Sequence, residues 1–162
     1  VRFHDAGGEN LVVCSEGNER ETATETRSKE IYAAQYVLDG ELPRRLWLLT
    51  DFERDCPFDV SAGFLPGSLT VTDLDSDGFA EVTIVYRLAC RSDVSPSTQK
   101  LIMREGPQKY AIRGTTLIRP DPSAAPYGGE MAIDPSFSGA PASFRSFALA
   151  QWQRFAEEGF DN

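Results

Sequence analysis

Residues 81 to 89 alternate without a break, placing Val82, Ile84, Tyr86 and Leu88 on one face of an extended chain and Glu81, Thr83, Val85 and Arg87 on the other. A period of two sustained over this length is a strand signal, so the chain must build a sheet around it. The same period recurs at 31–38, where Tyr32, Ala34, Tyr36 and Leu38 mark the expected buried face, and at 68–73, where Leu69 and Val71 point inward. Asp39-Gly40 and Pro43 then supply a turn into a strand expected over 45–52 and pairing antiparallel with 31–38. Asn10 to Cys14 forms a short β-type run, and the Glu-, Thr- and Arg-rich block from Ser15 to Glu30 reads as a solvated loop or hairpin tip. Lys100–Arg104 and Lys109–Arg113 form a hairpin about Glu105-Gly106-Pro107-Gln108, with a further short strand at 115–118.

From Pro120 to Pro141 the prolines 120, 122, 126, 135 and 141 alternate with Gly128, Gly129 and Gly139, a composition that opposes regular structure. Beyond it the period changes to three and four: Phe144, Phe147, Ala148, Trp152 and Phe155 lie on one stripe of a helix expected from Pro141 to Glu158, with Gly159 as its stop signal. The expected fold is mainly β (α+β): an antiparallel β meander or curved sheet, with one amphipathic C-terminal helix (about 141–158) packed on it, as a single domain over 1–162. Hydrophobic content of 41% and charged content of 25% are those of ordinary globular chains, so neither disorder nor a fibrous repeat is expected. No stretch approaches the roughly 18 apolar residues of a membrane span. A formal charge of −9 repels phosphate backbones, so nucleic acid is not an expected partner. The chain opens on Val1, and a segment upstream of it is expected.

The sharpest chemical signal is Asp73-Leu-Asp75-Ser-Asp77-Gly78-Phe79-Ala-Glu81. Ca²⁺ takes six to eight oxygens, and carboxylates at loop positions one, three and five converge on a point, with Gly at six permitting the sharp turn. The Phe79 carbonyl and the Glu81 carboxylate complete a candidate set of Asp73, Asp75, Asp77, Phe79 and Glu81. An EF-hand would need Glu at position twelve, where Ile84 stands inside a strand. The competing reading is a plain Asp/Gly turn, but three alternating carboxylates repel one another without a cation.

The strand–loop–strand setting, with an acidic ninth residue, resembles the calcium loops of FG-GAP repeats and other β-propeller blades. A second resemblance covers roughly 44–155. Tyr86-Arg-Leu-Ala-Cys90-Arg91-Ser92-Asp93-Val94-Ser95-Pro96, Lys100-Leu-Ile-Met-Arg104-Glu105-Gly106, Lys109-Tyr110-Ala-Ile-Arg113-Gly114 and Gly128-Gly129-Glu130 resemble a bacterial family labelled surface polysaccharide biosynthesis protein. That resemblance implies a cell-envelope setting and carries no mechanism.

Three cysteines, none in a C-x-x-C pair, and a single histidine give poor support for zinc. Cys56 and Cys90 each end an expected strand; joined, they would close a loop of roughly 34 residues, contributing about 3–4 kcal/mol in the chain-entropy picture, and would leave Cys14 free. Three buried thiols are the alternative.

Catalytic readings are weaker. Asp51 or Glu53 with Glu130 could be imagined as a glycosidase pair, but 25 acidic residues supply such pairs in any fold. His4 has no neighbouring nucleophile, and Ser92, Asp93 and Ser95 suit Asx and Ser turns. Tyr32, Tyr36, Trp47, Tyr86 and Tyr110 could stack on sugars, though at strand spacing they suit cross-strand pairs. The expected function is a secreted or periplasmic calcium-binding β module with a non-catalytic binding or scaffold role toward a saccharide or envelope protein. The alternative is a carbohydrate-active enzyme of surface polysaccharide metabolism.

Overall fold

In the computed structural model, which describes residues 1–23, 25–120 and 124–159, the alternating runs become the strands of two antiparallel sheets. The first sheet holds β1 (Arg2–Asp5), β2 (Gly8–Glu16), β3 (Arg20–Glu21), β4 (Arg27–Val37) and β5 (Arg44–Cys56); β4 is its centre, pairing with β2, β3 and β5. The second holds β6 (Asp59–Phe64), β7 (Thr70–Thr72), β8 (Glu81–Arg91), β9 (Thr98–Glu105) and β10 (Gln108–Thr115). Three short strands follow: β11 (Leu117–Ile118), β12 (Tyr127–Gly128) and β13 (Met131–Ile133), the last pairing with β10. The chain ends with α1 (Ala142–Arg154) and β14 (Glu157–Glu158), which pairs parallel with β11. The fold is mainly β and antiparallel with one C-terminal helix, the class expected from the periods.

The alternation of β8 reads differently once its neighbours are in place, because both of its faces are covered. Val82, Ile84, Tyr86 and Leu88 join Val12, Ile31, Trp47 and Leu49 in a core between the two sheets. On the other side Val85 meets Leu101 and Met103 of β9 and Phe144, Ala148 and Trp152 of α1 in a second core. Phe144 and Ala148 are fully buried and Trp152 nearly so, while Phe147 and Phe155 pack at the edge of the stripe. The sequence therefore builds three layers, sheet on sheet on helix.

β4 corrects the expected phase. Its buried row is Ile31, Ala33, Gln35 and Val37, and Tyr32 and Tyr36 lie half-buried on the opposite face. A glutamine in the core row hid the alternation. Gln35 is buried because its amide is spent internally: Nε2 donates to Asn10 Oδ1 at 2.9 Å, and Oε1 accepts from Trp47 Nε1 at 2.7 Å. Each partner is itself buried, so the chain of bonds satisfies polar atoms that would otherwise each cost about 1–3 kcal/mol.

Other expectations shift as well. β5 runs on to Cys56 rather than stopping at Phe52, β2 runs to Glu16, and β4 begins at Arg27, so the solvated block is shorter than its composition suggested. The Pro- and Gly-rich stretch carries β12, β13 and a 3₁₀ turn at Pro135–Ser138; Pro122, one of its punctuating residues, lies outside the described residues. Glycine makes this possible: a Cβ on Gly114 would sit 1.8 Å from the Glu130 carbonyl oxygen, so β13 reaches β10 only because that side chain is missing. Finally, the helix stops at Arg154, four residues before the expected Glu158, because Glu157 and Glu158 leave it to pair with Leu117 and Ile118.

Cys56 and Cys90 form a disulfide with Cα atoms 5.5 Å apart, tying the end of β5 in one sheet to β8 in the other; Cys14 is the free thiol, and burial pushes its pKa up. If the α1 stripe is structural core, Trp152→Ala should destabilise the protein by about 3–5 kcal/mol through cavity formation, read as a lowered urea midpoint; an unchanged midpoint would contradict this packing.

Candidate metal centre

The loop from Asp73 to Ala80 joins β7 to β8. Its backbone turns through Ser76 at φ 63° and Gly78 at φ 89°, and it closes with two Asx-type bonds: Asp77 N donates to Asp75 Oδ1 at 3.3 Å, and Phe79 N to Asp77 Oδ1 at 2.7 Å. The turn between β1 and β2 clamps it from outside. Ala6 N donates to the Gly78 carbonyl at 2.7 Å, and Ala80 N to Asp5 Oδ2 at 3.1 Å.

Inside the loop, carboxylate oxygens of Asp73, Asp75 and Glu81 lie within 4.8 Å of one another, and so do those of Asp75, Asp77 and Glu105. Asp75 belongs to both groups. Four of the residues expected from the sequence are therefore brought together, while Phe79 sits in the loop with its ring exposed and its amide given to Asp77. Glu105 is the residue the sequence did not reveal, since its place beside Gly106-Pro107 reads as a turn. β8 and β9 pair so that Glu105 stands directly opposite Glu81, an arrangement of like charges that weakens a sheet unless something neutralises it.

Glu81 is fully buried. Its Oε2 accepts from Thr72 Oγ1 at 2.9 Å and from Leu74 N at 3.0 Å, whereas Oε1 is buried without any partner, as is Oε1 of Glu105. Burial first, and then the Asp75 charge, push the Glu81 pKa up against those two bonds and the pull of its own backbone amide. Glu105 is pushed up by burial and then by Asp77, Asp75, Glu81 and Asp73. Among the described residues no Lys, Arg or His pairs with any of these five carboxylates. An all-oxygen donor set with orphaned lone pairs can hold a hard metal ion. The Asx turns account for Asp75 and Asp77 as turn formers, but not for a buried, half-bonded Glu81.

The far end of β8 solves the same burial problem with counter-charges. Arg91 Nη2 donates to Glu158 Oε1 at 2.7 Å, and Ser97 Oγ and Thr116 Oγ1 add bonds to Glu158 at 3.0 and 2.7 Å. Arg87 gives its guanidinium to Gln99 Oε1, Phe155 O and Glu157 O at 3.0, 2.6 and 3.0 Å, fixing the tail after α1. In the same segment, Asp93 Oδ1 accepts from Ser95 N at 2.9 Å and from its hydroxyl at 2.5 Å, an Asx turn. Arg91 thus holds β14 and Asp93 the turn that follows β8.

The residues considered for catalysis separate. Asp51 Oδ2 accepts from Tyr86 OH at 2.7 Å and Lys100 Nζ at 2.6 Å, and the cleft it lines includes neither Glu53 nor Glu130. Glu130 accepts the Thr115 hydroxyl, and His4 is exposed on β1 opposite Glu9. The aromatic set divides as well: Trp47 and Tyr86 belong to the inter-sheet core and Tyr110 to the core under the helix, leaving only Tyr32 and Tyr36 on an outer face. No protein-family model matches this chain, and no curated protein or solved structure matches it.

Burial raises the Glu158 pKa, but the bonds from Arg91, Thr116 and Ser97 outweigh it and hold the group at about 2. A folded-state pKa below the unfolded one stabilises at higher pH, so this contribution is complete above about pH 5 and is lost as pH falls toward 2. Glu158→Gln should flatten the stability–pH profile between pH 5 and 2 relative to the parent, measured as urea midpoints; parallel profiles would contradict the assignment.

Proposed function

We propose that the chain is a calcium-binding β module whose Asp73–Glu81 loop is completed by Glu105, and that its role is non-catalytic binding or scaffolding. The supporting observation is the fully buried Glu81, with one carboxylate oxygen lacking any partner and Glu105 directly opposite. Asp73, Asp75, Asp77, Glu81 and Glu105 would supply carboxylate oxygens and Phe79 its carbonyl. Ca²⁺ suits them better than Mg²⁺, because it accepts many oxygens in irregular geometry, whereas Mg²⁺ demands a near-ideal octahedron and keeps several waters. The bound cation would pin the β7–β8 loop to the end of β9.

A periplasmic or extracellular setting fits a Cys56–Cys90 disulfide, since such bonds persist in oxidising compartments. No helix among the described residues is long and apolar enough to cross a membrane. The resemblance to the surface polysaccharide family points to the same envelope setting, with a saccharide or an envelope protein as partner.

Calcium at a hundredfold excess over its dissociation constant should stabilise the folded chain by about 2.7 kcal/mol. The expected outcome is a melting temperature raised by Ca²⁺, lowered again by chelator, and insensitive to both in Asp75→Ala. A parent melting temperature indifferent to calcium and chelator would overturn the proposal.

A further inference from the structure

On the opposite face of β9 from Glu105 lies an array of the other sign. The β9–β10 register sets Arg104 directly opposite Lys109 and Lys100 opposite Arg113, around the buried Ile102 and Ala111. In a chain of net charge −9 this is a conspicuous local reversal. Like charges directly opposed across strands destabilise a sheet unless neutralised.

Three carboxylates answer part of this charge. Asp51 takes Lys100 at 2.6 Å, Asp134 takes Arg113 at 3.0 Å, and Glu53 adds its field beside Asp51 and Lys100. Arg104 and Lys109 have no carboxylate partner among the described residues. Arg104 donates through Nη1 to Pro107 O at 3.1 Å and lies 5.7 Å from the Trp47 ring centre, while its Nε is buried without a partner. Partial burial, then Arg113 and Arg104, hold the Lys109 ammonium below its ordinary pKa, with Lys100 adding to them and Asp134 opposing.

All four cations line one cleft of about 240 Å³, whose opposite wall is formed by four consecutive residues of β5, Leu48 to Asp51. Among the described strands β5 pairs only with β4, so along its other edge main-chain N–H and C=O groups have no sheet partner. Cationic side chains and an open backbone edge together suit a ligand carrying both a negative charge and hydroxyl groups.

We propose that this cleft binds the anionic group, carboxylate or phosphoryl, of a small hydroxylated ligand such as an acidic sugar, with Arg104 and Lys109 as its principal contacts. The site gives the binding role a ligand class but does not depend on the calcium loop, and its test runs in chelator so that the two can fail separately. The full chain is titrated by calorimetry with inorganic phosphate, glucuronate and glucose. Phosphate or glucuronate should bind, more weakly as salt is raised, and glucose should not; whichever anion binds better identifies the group as phosphoryl or carboxylate. Lys109→Gln, at an exposed position, and Arg104→Gln should each weaken binding about tenfold. Arg145→Gln, on the exposed side of α1, should leave it unchanged. Absence of binding by both anions at tens of millimolar, glucose binding as tightly as they do, or affinity unmoved by Lys109→Gln in a normally folded variant would each overturn the proposal.

Discussion

β8 is covered on both faces, by the first sheet on one side and by α1 on the other, and the rest of the structure is arranged around that burial. Apolar side chains in its middle gain from it at roughly 25 cal/mol for each Å² removed from water. Its polar residues gain nothing unless they find partners, because a buried charge without one is costly. The ends of the strand therefore dictate what must surround them.

At one end the counter-groups belong to the chain. Arg87 and Arg91 reach across to Gln99, to two carbonyls after α1 and to Glu158, so the electrostatics of β8 also fasten the C-terminal segment and place β14 beside β11. At the other end they do not. Glu81 keeps one bonded and one orphaned oxygen, Glu105 faces it across the ladder, and three aspartates stand in the adjoining loop. The same strand thus carries a balanced terminus and an unbalanced one, and the unbalanced one has the chemistry of a cation site.

Much of this was legible from the residues, wherever local pattern and tertiary role agree. The β8 alternation and the Phe144–Ala148–Trp152 stripe are local signals that took their expected places, and the Asp73–Glu81 spacing is a local signal whose four carboxylates are brought together. Cys56 and Cys90 could be matched because Cys56 ends β5 and Cys90 stands one residue before the end of β8. Legibility failed where a residue's role depends on a distant partner. Gln35 inverted the apparent phase of β4 because its burial rests on Asn10 and Trp47. Glu157 and Glu158 looked like helix because their ladder partners lie about forty residues earlier in the chain. Glu105 acquires its meaning from the β8–β9 register, which the loop at 92–97 does not specify, whereas the Arg104–Lys109 and Lys100–Arg113 pairs are those that the hairpin about Glu105-Gly106-Pro107-Gln108 already implies.

If a metal ion completes the acidic end of β8, amide hydrogen exchange across residues 73 to 81 should report it. Exchange reports local opening, and the loop amides of Leu74, Asp77, Phe79 and Ala80 already donate to the carboxylates of Glu81, Asp75, Asp77 and Asp5. Calcium should slow these four amides by more than tenfold relative to chelator while leaving amides at the Arg91–Glu158 end unchanged. Equal exchange of the loop with and without calcium would show that no calcium ion completes it.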